Sequence, residues 1–305
     1  MKYRRLGSTG LKVSVIGVGT WQFGGEWAKE FTQGEVDAMF DAARELGINL
    51  IDTAECYGDH LSESLIGPAI ERDRGNWIVA TKFGHDYHGY MNRTEPRSPA
   101  DVQRQLDESL AALRTDYVDL YQYHSWGDDQ FFDDDVLATL HRMKDSGKVR
   151  HIGNSVARND NVRQIGASRD RKIEAIQIIY NRLDRTPEQT TFRICVEQDL
   201  GVLARVPLAS GFLSGKHKPG ATFAQGDVRS NRERQQIDEK LREVEQIRAQ
   251  ELPAGVEMAQ WALAWCLQHP AVTCVIPGCK SVEQVRHNAA AAELQLVRDD
   301  HPQSV

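Results

Sequence analysis

The sequence has few cysteines and no long hydrophobic segment. Its 305 residues include only five cysteines, an odd number, and no two of them form a CxxC pair. Such usage favours reduced thiols in a cytosolic protein over a framework of disulfides. No apolar run approaches the length of a membrane span, and the opening MKYRRLGSTG lacks the apolar core of a signal peptide. We therefore expect a cytoplasmic protein that does not bind membranes.

Positive charge is also scarce. Lysine and arginine total 37 against 44 aspartates and glutamates, which gives a formal net charge of −7. A negatively charged chain suits neither nucleic acid nor an anionic membrane, so we expect neither as a partner. An anionic small molecule is still compatible with this charge if the positive residues are concentrated in one place. With 40% hydrophobic and 27% charged residues, the chain has the composition of an ordinary globular protein.

A GxGxxG motif is missing after the first predicted strand, which argues against an open doubly wound sheet. Instead, short apolar runs alternate with segments of helical periodicity, including 33–46, 98–113 and 134–145. The eight predicted strands span residues 14–19, 48–52, 77–82, 118–124, 149–153, 175–180, 201–207 and 272–277. This alternation predicts one α/β domain over residues 1–305, a (β/α)8 TIM barrel. The opening YRRLGSTGLKVS is predicted to form an N-terminal β-hairpin that closes the barrel bottom.

Ionisable residues end three successive predicted strands. They are Asp52, Lys82 and His124, and Tyr57 follows Asp52 by five positions. The carboxyl ends of the strands form the active-site face of such a barrel, so these four side chains are predicted to share one mouth. Taken singly, each has an ordinary structural explanation, such as capping, surface exposure of a long side chain, or packing. Taken together, they predict a site.

A shared chemistry accounts for the four residues. Pairing with Lys82 would offset the cost of burying Asp52. A cation beside Tyr57 is expected to stabilise the phenolate and lower its pKa from about 10. A phenol of this kind can give a proton to a carbonyl oxygen while hydride arrives at the carbon. His124 can donate a hydrogen bond to the same oxygen.

Several segments of the chain resemble signatures of the aldo-keto reductase family. They are GTWQFGG, NLIDTAECYG, SESLIG, VATKFG, VDLYQYH, IGNSV, PLASGFLSGK and VIPGCKSVEQVRHN. They occur in family order over nearly the whole chain. The resemblance implies a (β/α)8 barrel, NADP(H) bound without a Rossmann fold, and reversible reduction of aldehydes and ketones. The family's catalytic tetrad falls on Asp52, Tyr57, Lys82 and His124.

The resemblance also implies contacts to the nicotinamide half of the cofactor. The residues that it places there are Gly19, Thr20, Trp21, Asp52, Ser155, Gln177 and Arg205. The family's usual neighbour of Ser155 is asparagine, which is Val156 here. Asn154 is a substitute, although on a strand it points the other way. Arg205 replaces the family's stacking aromatic residue, and two interpretations carry equal weight: its planar guanidinium stacks on the nicotinamide, or it pairs with a carboxylate.

The other half of the cofactor is implied by two further segments. The residues matched to pyrophosphate binding are Pro207, Leu208, Ser210, Gly211, Leu213, Gly215 and Lys216. Near the last helix, Gly278, Lys280 and Ser281 are placed at the adenosine 2′-phosphate. Gln284 and Asn288 lie four positions apart, on one helix face, and are placed at the adenine. Many family members have arginine where Gln284 stands, which weakens the preference for NADPH, while Lys280 and Ser281 still favour it.

Other features give alternatives or stay open. A second function is a non-catalytic, cofactor-binding regulatory subunit of the same fold, although the intact tetrad favours an enzyme. His60, His85 and His88 are weak metal ligands by spacing, so no metal is predicted. Segment 214–236 is predicted to be a functional or disordered loop. The substrate is expected to be a small carbonyl or alcohol compound, and the protein a monomer or small homo-oligomer. Aromatic residues after the strands predict an apolar pocket mouth: Trp21, Phe23, Trp27, Phe83, Tyr87, Tyr90, Trp126 and Phe223.

Overall fold

Eight parallel strands form the wall of the barrel in a computed structural model that describes residues 1–305. In chain order they are β3 (Val18–Gly19), β4 (Leu50–Asp52), β5 (Ile78–Phe83), β8 (Val118–His124), β9 (Val149–Ser155), β10 (Ala175–Ile179), β11 (Gly201–Arg205) and β12 (Cys274–Ile276). Each strand pairs with the next in this order. Parallel bridges from Ile16 to Val275 and from Gly19 to Gly278 join the first strand to the last. The predicted (β/α)8 barrel is therefore confirmed.

Helices surround the barrel. They are α1 (Gln33–Glu45), α2 (Leu61–Ile70), α3 (Pro99–Leu113), α4 (Asp128–Phe131), α5 (Asp134–Asp145), α6 (Val162–Gly166), α7 (Thr186–Gln189), α8 (Thr191–Glu197), α9 (Arg234–Glu251), α10 (Met258–Leu267) and α11 (Val282–Ala290). Local sequence explains several of their starts. Thr32 and Ser98 form capping boxes at α1 and α3, and Asp133 caps α5. No helix is both long and apolar enough to span a membrane.

The barrel bottom is closed by the predicted hairpin. Its strands β1 (Tyr3–Arg5) and β2 (Lys12–Ser14) pair antiparallel. The hairpin side chains Leu6 and Val13 are fully buried and join a cluster of nine residues that includes side chains from inside the barrel. Burying these side chains removes apolar surface from water at the end opposite the predicted mouth.

Two regions differ from the sequence prediction. A second hairpin, β6 (Asp86–Gly89) and β7 (Asn92–Thr94), follows β5 and lacks the turn residues that would announce it. Segment 214–236 is not wholly a loop, because it contains a short 3-10 helix at Val228–Asn231 and the start of α9. The apolar face of α9 is buried, so this helix is more than a solvated polar surface.

Candidate active site

A cavity of about 1090 Å³ opens at the carboxyl ends of the barrel strands. Its floor includes Asp52 and Gln177 from the strands, and its walls come from the loops that follow them. One wall is held together by the buried Glu26, whose carboxylate accepts hydrogen bonds from Trp21 Nε1 at 2.5 Å and Arg93 Nη2 at 2.6 Å. The bond from Arg93 joins the hairpin β6–β7 to the loop after β3, which contains Glu26. The cavity is therefore a pre-formed cleft of a size that suits small-molecule ligands.

The ammonium of Lys82 lies at the centre of the predicted tetrad. Lys82 is fully buried at the end of β5 and donates to Asp52 Oδ1 at 2.9 Å, Thr53 O at 2.6 Å and Tyr57 Oη at 3.2 Å. Burial by itself lowers the pKa of Lys82, but Asp52 and Tyr57 outweigh it and raise the pKa. Lys82 is therefore a fixed cation that connects the carboxylate to the phenol.

Tyr57 departs from the expectation of a lowered pKa. Burial raises the pKa of its phenol to about 12, and the charge of Lys82 opposes this only in part because Asp52 lies close to Lys82 and offsets it. The phenol therefore keeps its proton at neutral pH. The sequence identified the cation beside Tyr57 but not the depth of the phenol in the barrel, which decides the sign of the shift.

His124 ends β8 beside Tyr57, and the two rings lie 6.1 Å apart in an edge-to-face arrangement. Burial and then the charges of His85 and Lys82 hold the pKa of His124 well below 6.5, so its imidazole is neutral. Its Nδ1 lies 3.6 Å from the Cys56 Sγ, which leaves Nε2 as the ring nitrogen on the other side. The four tetrad side chains are thus brought together as the sequence predicts.

Gln177 and Ser155 lie beneath the mouth. Gln177 Nε2 donates to Asp52 Oδ2 at 2.5 Å, and Ser155 Oγ donates to Gln177 Oε1 at 3.3 Å. Asn154 points away from the barrel interior, where its amide donates to Gln164 Oε1 at 3.1 Å. Alternation along β9 therefore rules out Asn154 as the substitute for the asparagine that Val156 replaces.

Arg205 lies at the end of β11 and lines the cavity. Burial lowers its pKa, although Tyr57 and Asp52 oppose the shift. Its Nη2 donates to Val156 O at 3.1 Å, its buried Nε has no partner, and it forms no ion pair. The interpretation that Arg205 pairs with a carboxylate is therefore wrong. The next residue, Val206, has a φ of 55°, a rare backbone conformation for a β-branched residue.

Positive side chains surround the far end of the cavity. Lys216, Arg248 and Lys280 all line it. The Arg248 guanidinium donates to Gly215 O at 3.1 Å, and the Lys280 ammonium donates to Trp27 O at 2.8 Å. In the whole lining, lysines and arginines outnumber aspartates and glutamates by six to four, the reverse of the balance over the chain.

Most of the predicted cofactor residues line this cavity. The lining members are Gly19, Thr20, Trp21, Asp52, Gln177, Arg205, Pro207, Leu208, Ser210, Gly211, Gly215, Lys216, Gly278, Lys280, Gln284 and Asn288. Ser155, Leu213 and Ser281 do not line it. Leu213 packs in a core cluster, and the Ser281 hydroxyl caps α11 by accepting from Gln284 N at 3.3 Å.

The aromatic mouth is smaller than the sequence predicts. Only Trp21 and Trp27 of the predicted set line the cavity. The other six predicted aromatic residues do not line the cavity. Three of them, Phe23, Phe83 and Trp126, are buried in the core instead. Sequence reasoning also missed Arg248, which reaches the cavity from α9. Its only signal in the sequence was a cationic residue in a helix that follows the pyrophosphate segment.

The three histidines considered for metal binding do not come together. His60 is hydrogen-bonded to Glu63, and His88 to Thr94.

Comparison with known proteins agrees with this geometry. The family model described as Aldo/keto reductase family matches residues 15–304, so the chain belongs to the aldo/keto reductase family of oxidoreductases. The NADH-specific methylglyoxal reductase of Escherichia coli is 31% identical over 317 residues, which cover 97% of this chain and 95% of that protein.

Solved structures give the same result. The holo form of aldo-keto reductase AKR11C1 from Bacillus halodurans has a TM-score of 0.82 at 30% identity, covering 99% of this chain and 94% of that one. The glycerol dehydrogenase AKR11B4 from Gluconobacter oxydans also has a TM-score of 0.82, at 27% identity, covering 95% and 90%.

Proposed function

We propose that this protein reduces aldehydes or ketones to alcohols with NADP(H), and that Tyr57 gives the proton. The observation that carries the proposal is the buried Lys82 ammonium, which lies 2.9 Å from the Asp52 carboxylate and 3.2 Å from the Tyr57 hydroxyl. Such an arrangement orients a phenol at the cavity floor without taking its proton. All five cysteines are free and buried, which supports the cytoplasmic location expected from the sequence.

The cavity fits a cofactor of this class. The buried Arg205 Nε has no hydrogen-bond partner, and three further cations line the far end of the cavity, where phosphates would carry negative charge. Gln177, held from below by Ser155, would bind the carboxamide, Lys216 the pyrophosphate and Lys280 the adenosine phosphate. When bound, the reduced nicotinamide supplies a hydride.

Proton transfer is the part of the reaction that this chain performs. Tyr57 holds the proton at Oη because its pKa is raised to about 12, and it releases the proton only as a carbonyl oxygen gains negative charge. Lys82 stabilises the phenolate that remains. Neutral His124 offers its Nε2 to the same oxygen, which orients the carbonyl without adding a charge.

Replacing Tyr57 by Phe tests this assignment. Only the hydroxyl is removed, so we expect kcat to fall at least about 10²-fold while cofactor affinity is retained. Cofactor consumption followed optically over a panel of carbonyl compounds gives kcat, and fluorescence titration gives affinity. A variant with nearly full kcat would show that Tyr57 is not the acid. Cofactor binding without turnover by the parent protein would favour the regulatory-subunit alternative.

The preference for NADP(H) depends on Lys280. Lys280→Ala should weaken the binding of NADPH by about 1.5 kcal/mol, roughly tenfold. This value is at the low end for a charge-assisted hydrogen bond, because the Lys280 ammonium also donates to Trp27 O. NADH should be barely affected. The matched control is Lys216→Ala, which should weaken both cofactors alike. Equal losses with Lys280→Ala, or tighter binding of NADH by the parent protein, would contradict the assignment; the E. coli relative is NADH-specific by name.

A further inference from the structure

Three side chains that can bind a metal meet beside Tyr57. Glu55 and Cys56 follow β4, and His124 ends β8. The His124 Nδ1 lies 3.6 Å from the Cys56 Sγ and 3.7 Å from the Glu55 Oε2. All three ligand atoms lie within 4.8 Å of one another. None of the three is a histidine considered above for metal binding, although the His85 ring packs 4.7 Å from the His124 ring.

The separations suit tetrahedral zinc. With zinc bonds of about 2.3 Å to sulfur, 2.05 Å to nitrogen and 2.1 Å to oxygen, a tetrahedron places sulfur about 3.6 Å and oxygen about 3.4 Å from the nitrogen. The observed distances to His124 Nδ1 are 3.6 Å and 3.7 Å. The separation between nitrogen and oxygen has to shorten by about 0.3 Å, and the separation between sulfur and oxygen, which is within 4.8 Å, has to come to about 3.6 Å.

An unpartnered atom points independently to a ligand. Glu55 Oε2 is buried without a hydrogen bond, and the whole residue is only 2% exposed. The other carboxyl oxygen is anchored, because Glu55 Oε1 accepts from His85 N at 2.9 Å. A buried carboxyl oxygen without a partner is costly, and a metal ion beside it would remove that cost.

Charge and access are also suitable. Cys56 and His124 line the cavity, which is the route by which a small ion would reach them. Lys82 and Arg93 lie near the cluster and repel cations. Because the thiol proton leaves as the divalent ion binds, the cluster gains one positive charge rather than two, which limits this repulsion. A soft ion is required, because magnesium and calcium avoid sulfur.

We propose that Glu55, Cys56 and His124 form an inhibitory site for Zn²⁺ or a similarly soft divalent ion. On binding, the zinc–sulfur bond forms and the thiol proton leaves to solvent. The ion fixes the His124 ring through Nδ1 while Nε2 stays free, so inhibition comes from the bulk and charge of the ion next to Tyr57. Inhibition by the ion rests on the proposed function, whereas binding of the ion does not.

Direct binding is measured by calorimetric titration of the purified protein with Zn²⁺, and inhibition by turnover at increasing Zn²⁺. We expect one site, and a loss of affinity of at least tenfold in both Cys56→Ser and Glu55→Gln. The control is Cys195→Ala, a buried cysteine in α8 away from the cavity, which should bind as the parent does. Titration of the unaltered protein with Co²⁺ needs no variant and should give the charge-transfer absorption of a thiolate ligand.

Equal zinc affinity in the parent and in both ligand variants would overturn the proposal, as would absence of the cobalt–thiolate absorption. Binding that meets these expectations in a protein without carbonyl reductase activity would refute the proposed function and leave the metal site standing.

Discussion

Lys82→Met tests the central ion pair of the cavity. The substitution removes a cation with no solvent exposure and leaves the carboxylate of Asp52, 5% exposed, without its charge partner. Breaking a buried pair in this way costs about 3–5 kcal/mol. Gln177 still donates to Asp52 Oδ2 at 2.5 Å, which favours the lower end, but Thr53 O also loses its donor. We therefore expect a loss of about 4 kcal/mol in the free energy of unfolding, and loss of activity.

A second substitution separates the charge from the side chain. Adding Asp52→Asn removes the stranded charge, so the double variant should recover about 2 kcal/mol of stability but no activity. A matched control is available at the surface, where Lys148 Nζ lies 2.7 Å from Asp107 Oδ1 and the side chains are 43% and 49% exposed. Lys148→Met should cost less than about 1 kcal/mol, because solvent screens the exposed pair.

Urea denaturation gives the free energies of unfolding of the parent, Lys82→Met, Asp52→Asn, the double variant and Lys148→Met. Initial rates of carbonyl reduction give their activities. The reasoning is refuted if Lys82→Met costs no more than Lys148→Met. It is also refuted if the losses from Lys82→Met and Asp52→Asn simply add, because contacting partners must show a coupling energy.

Three further outcomes are expected. The kcat/KM for carbonyl reduction should stay constant between about pH 6.5 and 10, because burial holds the pKa of His124 well below 6.5 and raises that of Tyr57 to about 12; an inflection inside this range would contradict the assigned states. Leu6→Ala should lower the free energy of unfolding by about 2–5 kcal/mol in urea denaturation but leave kcat unchanged, since this buried side chain closes the opposite end of the barrel; a fall in kcat would link the two ends. Gly84→Ala should destabilise the protein by at least about 2 kcal/mol, because Gly84 has a φ of 121° and the new Cβ would lie 2.0 Å from Trp126 Nε1. An unchanged melting temperature would show that the Trp126 side chain can move aside without cost.

Strand ends were predictable because they depend on short-range patterns. The segment from Val118 to His124 was predicted with the bounds that the structure has, and Asp52 ends its strand as expected. Parallel strands present their carboxyl ends on one face, so the topology then brought distant residues together without further information. Lys82 and Asp52 are 30 positions apart yet share a hydrogen bond.

Features that depend on loops and depth were not predictable. The hairpin β6–β7 follows β5 without a typical turn sequence. Its Arg93 lines the cavity and is held there by Glu26, a role that no local sequence pattern indicates. Aromatic residues after strands look alike in sequence, but only packing decides that Trp21 faces the cavity while Phe83 lies in the core.

By itself, the sequence determined the alternation of strands and helices, the placement of ionisable groups at strand ends and the resemblance to a family, because each of these is written in periodicity or in short motifs. Tertiary structure alone decided the electrostatic outcome at those groups. The pKa of Tyr57 is raised rather than lowered because desolvation depends on how deeply the barrel buries the phenol. The partner of Arg205 is also a tertiary feature, because its guanidinium donates to the backbone carbonyl of Val156 and not to a carboxylate. Glu55 and Cys56 meet His124 because the strands that precede them converge at one mouth.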